Sequence, residues 1–259
     1  SLDWYNKKTS DMLYPVALPA TAVGMGGSPY VNVGDMSNKG VELSLGYHYG
    51  RKNDSPFKFD FVVNISRNVN EIVALAPGVD QRPYGNFRSL TTSILQAGAP
   101  FGSFYGYDMT GIYQNAAEVT QGPSYVGARV GGPKYRDVNG DGTVNAADRT
   151  IIGDPNPDFI YSFSLNANYK NWDVAMFFNG SQGNDLYEAT RYFTDFNTFA
   201  GARSARMLDA WSPTNSGSMI PSVDNRATNF EYSSSSYYVQ SGSFFRMKNL
   251  QIGYSFPDR

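Results

Sequence analysis

Four segments of this chain alternate apolar and polar side chains residue by residue, and that period of two constrains the fold more than any other feature. Val41, Leu43, Leu45, Tyr47 and Tyr49 share one face, against Glu42, Ser44, Gly46 and His48. Phe57, Phe59, Phe61, Val63 and Ile65 oppose Lys58, Asp60, Val62 and Asn64. The third segment sets Phe159, Tyr161, Phe163, Leu165, Ala167 and Tyr169 against Ser162, Ser164, Asn166 and Asn168, and the fourth sets Trp172, Val174, Met176 and Phe178 against Asp173, Ala175, Phe177 and Asn179. A helix would scatter such residues around its axis; a strand keeps each set on one side, half in apolar and half in polar surroundings. A fifth segment, Phe245 to Phe256, changes phase near Asn249 and predicts a β-bulge there. Trp4 to Leu13 and Ser103 to Tyr113 read as further, less regular strands.

The connections between these strands are lopsided. Lys170-Asn171 alone joins Tyr169 to Trp172, and Gly50 to Pro56 joins Tyr49 to Phe57, whereas residues 67–158 and 181–243 bridge the other ends. Short turns at one end and long loops at the other predict an all-β fold that is part of a transmembrane antiparallel β-barrel, with short periplasmic turns and long extracellular loops. Tyr47, Tyr49, Phe57, Phe59, Tyr169 and Trp172 all lie beside the short turns and are expected at the membrane interface, their rings at headgroup level. A secreted, calcium-stabilised β-sandwich that binds carbohydrate would show the same alternation around a core. Strand lengths near ten, the lopsided loops and the clustered aromatics favour the barrel.

Composition narrows the function classes. No stretch reaches 18 consecutive apolar residues, which removes a transmembrane helix but not barrel strands. The chain has no Cys, so disulfides, thiolate zinc sites and thiol nucleophiles are excluded. A net charge of −2 argues against nucleic acid as a partner. His48 is the single histidine and sits in the polar phase of a strand, which leaves no His-based metal pair and little basis for catalysis; no catalytic residue is assigned and no enzyme is expected.

One motif carries metal chemistry. Asp137-Val-Asn-Gly-Asp-Gly-Thr-Val-Asn-Ala-Ala-Asp148 sets oxygen-bearing side chains at positions 1, 3, 5, 9 and 12 of a twelve-residue loop, with Gly142 at position 6. A hard cation such as calcium needs oxygens converging at this spacing and a glycine at the sharp turn. Asp137, Asn139, Asp141, Thr143 (through its carbonyl), Asn145 and Asp148 are the candidate ligands for a structural calcium, and Val144 is an apolar anchor. Asn139-Gly-Asp-Gly142 is also a strong turn sequence in its own right. The flanking segments are strands, so a true EF-hand is not expected.

The stretch from Lys134 to Phe159, which contains this loop and Ile151-Ile-Gly-Asp-Pro-Asn-Pro-Asp-Phe159, resembles a signature of the SusC/RagA family of TonB-dependent outer-membrane transporters from Bacteroidetes-type bacteria. Trp4-Tyr-Asn-Lys-Lys-Thr-Ser-Asp-Met-Leu13, Asn38-Lys-Gly-Val-Glu-Leu43, Gly180-Ser-Gln-Gly-Asn-Asp-Leu-Tyr187, Trp211-Ser-Pro213 and Phe245-Arg-Met-Lys-Asn-Leu-Gln-Ile-Gly-Tyr254 follow in family order. The resemblance implies that residues 1–259 are a C-terminal part of such a barrel, without its plug domain and closing strands. It implies import of nutrient oligomers, oligosaccharide or peptide, across the outer membrane under a SusD-like surface lipoprotein, with TonB acting through an N-terminal part outside this chain. Outer-membrane lipid would surround the barrel. Tyr105, Tyr107, Tyr187 and Trp211, with Arg203 and Arg206, lie in the long loops and are the candidates to face substrate, by ring stacking and hydrogen bonding.

Overall fold

The computed structural model describes residues 1–15, 30–32, 34–50, 55–76, 78–196, 198, 201–223 and 230–257; residues 51–54 of the Gly50–Pro56 turn lie outside them. In chain order the strands are β1 (Leu2–Thr9), β2 (Leu13–Pro15), β3 (Tyr30–Asn32), β4 (Gly34–Tyr49), β5 (Phe57–Leu75), β6 (Gln81–Phe87), β7 (Leu90–Gln96) and β8 (Phe104–Gly106), then β9 (Met109–Ile112), β10 (Pro133–Tyr135), β11 (Thr150–Gly153), β12 (Phe159–Tyr169), β13 (Trp172–Gln182), β14 (Asp185–Tyr187), β15 (Val239–Ser241) and β16 (Phe244–Tyr254).

Six of them form one antiparallel sheet in the order β1-β4-β5-β12-β13-β16. Its register stacks the apolar phases across strands: Leu45, Val63, Phe163 and Phe178 are successive partners, as are Tyr47, Phe61, Leu165, Met176 and Leu250. The shift expected near Asn249 is present, since Phe177 pairs with Asn249 but Phe178 with Met247, leaving Lys248 as the extra residue. Leu45, Trp172 and Ile252 are 57%, 52% and 62% exposed. Among the described residues no second sheet covers this apolar face, as a sandwich would require; a barrel turns such a face to lipid. The sheet is a partial barrel, open at β1 and β16.

At the lower end Lys170-Asn171 closes β12 and β13 in a tight turn. Lys170 adopts φ +53° and its amide donates to Pro56 O at 3.0 Å, while the Ser255 amide donates to Asn171 O at 2.8 Å, tying neighbouring turns together. The upper end differs from the sequence reading. β4 and β5 run 16 and 19 residues, so β5 continues to Leu75 into the stretch assigned to a loop from residue 67. Above it the long connections are not structureless: they hold a four-stranded sheet, β11-β8-β7-β6, and the pairs β9–β10 and β14–β15. Together they make a folded cap at the long-loop end.

Candidate functional site: the tyrosine-cored cap

The cap has to fold from segments with little alternation, and tyrosine solves that problem. Tyr107, Tyr113, Tyr125, Tyr135 and Val144 form one buried cluster with Phe230 against it; Phe196, Tyr237 and Tyr238 form a second with Tyr187, Tyr192 and Tyr232. Irregular backbone leaves carbonyls without ladder partners, and a buried carbonyl without a donor is costly. Each ring supplies apolar area while its hydroxyl supplies the donor. Tyr113 Oη donates to Pro123 O at 2.8 Å, Tyr125 Oη to Pro133 O at 3.1 Å, Tyr135 Oη to Glu231 O at 2.9 Å and Tyr238 Oη to Tyr232 O at 3.0 Å. Burial pushes the Tyr113 and Tyr187 phenols up to about 12 and raises those of Tyr125, Tyr135 and Tyr238 further, so all remain donors at physiological pH.

Two ion pairs lock the long loops to each other and to themselves. Glu231, 1% exposed, receives Arg129 Nε at 2.9 Å on Oε1 and Arg129 Nη2 at 2.8 Å on Oε2, while Arg129 Nη1 donates to Ser222 Oγ at 2.6 Å. This bidentate fork joins the first long connection to the second. Asp195 Oδ2 receives both Arg206 Nη2 and Tyr237 Oη at 2.7 Å. Gly131, at φ +80°, lies against Ser222 and Trp211; a Cβ there would come within 2.7 Å of the Trp211 ring, so the close approach of the two connections requires glycine.

These contacts relocate several of the expected substrate-facing residues. Tyr105 and Tyr107 are 7% and 2% exposed: they are withdrawn into the cap core, not presented from it. Tyr187 is half-buried, stacks on Tyr238 with centroids 5.3 Å apart and donates to Ser234 Oγ. Trp211 is half-buried and donates from Nε1 to Gln114 Oε1 at 2.9 Å. Arg203 donates to the carbonyls of Phe193 and Phe196, and Arg206 pairs with Asp195. The physical reason is common to all: a cap without long strands must recruit its largest side chains to hold itself together. Sequence reasoning missed the Arg129–Glu231 fork and the phenol–carbonyl bonds; the density of tyrosine in segments lacking alternation was the available signal. Arg206 does line a cleft with Met109, Arg191, Met219, Ile220 and Tyr237, and its Nε has no partner among the described residues.

The Asp137–Asp148 loop is a turn closed by its own side chains. Asp137 accepts the Gly140 and Gly142 amides on its two oxygens, both at 2.7 Å; Asn139 Oδ1 accepts the Asp141 amide and Asp141 Oδ1 the Thr143 amide. Asn145 and Asp148 form a capping box around a short 3₁₀ turn. Asp148 is fully buried and accepts the Val138 and Asn139 amides on Oδ1 and the Asn145 amide on Oδ2. Burial opposes its charge, but these three amides together with the Asp137 side chain outweigh it and hold the carboxyl below its ordinary value. Val144, 2% exposed, plugs into the first tyrosine cluster as expected of an anchor. The donors are all oxygen, which suits calcium in type; Asp148 Oδ1 already accepts two amides, while the other carboxylate oxygens of the loop keep lone-pair capacity. Among the described residues, however, no three His, Asp or Glu side chains converge to hold a metal.

At the lower rim the sequence-assigned aromatics do come together. Tyr47, Tyr49, Phe57 and Phe59 pack with centroids 5.6–6.3 Å apart. Tyr169 is the register partner of both Phe57 and Trp172, and Trp172 meets Tyr254 at 4.9 Å, a member the sequence left out because it comes from β16. On the opposite, polar face His48 Nδ1 lies 2.5 Å from Asp60 Oδ1.

No family model matches the chain. TonB-dependent receptor P3 of Formosa agariphila is 37% identical over 264 residues, covering 100% of this chain and 25% of the relative. TonB-dependent receptor SusC of Bacteroides thetaiotaomicron is 25% identical over 99% of this chain and 24% of its own length. The structure of the RagAB peptide transporter superposes with a TM-score of 0.76 at 26% identity, covering 99% of this chain and 26% of that one. The chain belongs to the SusC/RagA family of TonB-dependent receptors. It spans about a quarter of the length of the curated relatives it matches. Within this family the six-stranded sheet is a stretch of outer-membrane barrel wall, and its apolar face is the one that the barrel turns to lipid.

Proposed function

We propose that this segment serves TonB-dependent import of nutrient oligomers, oligosaccharide or peptide, across the outer membrane. The observation that carries the reading is the pairing of a lipid-ready strand face with a folded cap at the long-loop end. A SusD-like surface lipoprotein is the partner expected over that cap, by analogy with the RagAB assembly. Residues 1–259 are read as a C-terminal part of the barrel; TonB would act through a plug belonging to the rest of the receptor. The reading assigns no catalytic step. The secreted β-sandwich alternative is not favoured, because it leaves the exposed apolar face uncovered.

Growth of a strain lacking the full-length receptor gene, on a panel of oligosaccharides and peptides as sole nutrients, tests the proposal. Selective loss of growth on one class is expected, restored by the intact gene; unimpaired growth on every member would sink it.

Calcium at Asp137, Asn139, Asp141, Thr143, Asn145 and Asp148 is proposed as reinforcement of a turn already closed by amide bonds. Calorimetric titration of the chelator-treated full-length receptor with calcium is expected to show one saturable site that is lost in Asp137→Ala with Asp141→Ala. The absence of any heat would remove the metal from the account.

A further inference from the structure

Three exposed cations stand on the outward face of the sheet: Arg67 on β5, Lys39 on β4 and Lys8 on β1. Arg67 is the register partner of Val41, Lys39 pairs with Val69 and Asn6, and Lys8 pairs with Ser37. Each successive strand therefore carries its cation one same-face step further up, giving a diagonal row with neighbours at the ~7–8 Å of diagonal pairs. Barrel strands tilt by ~40° to the membrane normal, so a line level with the membrane crosses them diagonally. The lower rim slants the same way, because Phe57 lies one same-face step below Phe59, the partner of Tyr49.

The height of the row is the telling quantity. Arg67 is ten residues above Phe57 on β5, and Lys39 is ten residues above Tyr49 on β4. Ten residues span roughly 33 Å along a strand. Tilted by ~40°, they rise roughly 25 Å, which is the height of the apolar band of an outer-membrane barrel. The lower girdle marks one edge of the membrane, and the cations fall at the other. Trp4, 71% exposed, stands beside them as the amphipathic ring expected at that edge, and Phe159 adds an apolar ring at the same level. The Arg67 guanidinium lies 5.7 Å from the Phe159 ring centroid, which holds it at this level. None of the three cations forms an ion pair with a described residue, although Glu71, opposite Ser37, sits level with Lys8.

We propose that Arg67, Lys39 and Lys8 form a docking site for the phosphate-bearing headgroup of an anionic lipid in the outer leaflet. Charge complementarity supplies the attraction, and the apolar band directly below receives the acyl chains. The inference rests on the reading of this face as lipid-facing. Native mass spectrometry of the full-length receptor in detergent tests it, with a diphosphorylated glycolipid and its dephosphorylated form as probes. The wild type is expected to hold the phosphorylated probe preferentially. Arg67→Gln with Lys39→Gln is expected to weaken that binding roughly 25-fold, whereas Lys58→Gln, on the lumen face, leaves it unchanged. Equal binding of both probes by the wild type, or undiminished binding by the double variant, overturns the site. Displacement of the probe by excess inorganic phosphate also overturns it, since that marks a free-anion site. Heat-modifiable gel migration separates the two levels of failure: its absence in the wild type sinks the barrel reading and the site together, while normal migration with unselective binding sinks the site alone.

Discussion

Asp148 shows how much one carboxylate does in the cap. It is buried, and its three amide partners close both ends of the Asp137–Asp148 turn. Because its folded-state pKa is depressed, the stability it contributes is present above the ordinary value of 3.8 and is lost as pH falls through the lowered folded value. Hydrogen exchange of the Val138, Asn139 and Asn145 amides is expected to accelerate below about pH 4 while the barrel strands stay protected; unchanged protection would remove Asp148 from this role. Asp148→Asn turns an NH₂ group toward amide donors, and a local loss of about 1–3 kcal/mol is expected by the same measurement at neutral pH. Glu231 is the second such residue. Glu231→Gln leaves the Arg129 guanidinium without its buried counter-charge, and a loss of about 3–5 kcal/mol is expected, seen as proteolysis within the cap. Cleavage patterns identical to wild type would argue that the fork is dispensable.

At the scale of elements, the barrel strands and the cap obey different rules. A strand such as β12 separates its environments by parity alone, so the effect of a charge depends on depth. Leu165→Arg falls near the middle of the apolar band and is expected to destabilise the full-length receptor by about 2–4 kcal/mol in denaturant titration. Tyr169→Arg, at the lower rim, is expected to cost only about 0–1 kcal/mol. Equal effects at the two positions would contradict the assigned membrane level. The cap strands are mostly three to seven residues long, too short to satisfy their own backbone. Their stability comes from tyrosine hydroxyls reaching irregular carbonyls. Tyr125→Phe keeps its ring stacked on Phe230, 4.6 Å away, but leaves Pro133 O without its donor. A loss of about 1–3 kcal/mol is expected for this variant, read as faster proteolysis of the cap.

For the whole molecule, the barrel wall was legible in advance and the cap was not. Period-two alternation is a local property, set by the geometry of an extended backbone, and the lopsided connections follow from counting residues. Thus the faces of β4, β5, β12 and β13, the bulge in β16 and the rim aromatics from Tyr47 to Trp172 were all readable from order along the chain. The ordered motifs likewise carry the family resemblance in the sequence itself. The fate of the loop aromatics depends instead on which segments meet. Tyr105 and Tyr107 carry nothing in their local sequence that separates a buried ring from one that faces substrate; only the arrival of Phe230 and of Ser234 and Ser236 decides it. The Asp137–Asp148 loop divides the same way, since its turn and its Val144 anchor are local while the direction of its carboxylates is set by the amides around them. The row of Arg67, Lys39 and Lys8 is the clearest case. The three lie on different strands, and only the register brings them to one height. Sequence by itself determined which side of each strand is apolar, because that needs only a residue and its next neighbour but one. Tertiary structure decided which side chains share a place, because that depends on contacts made across dozens of residues.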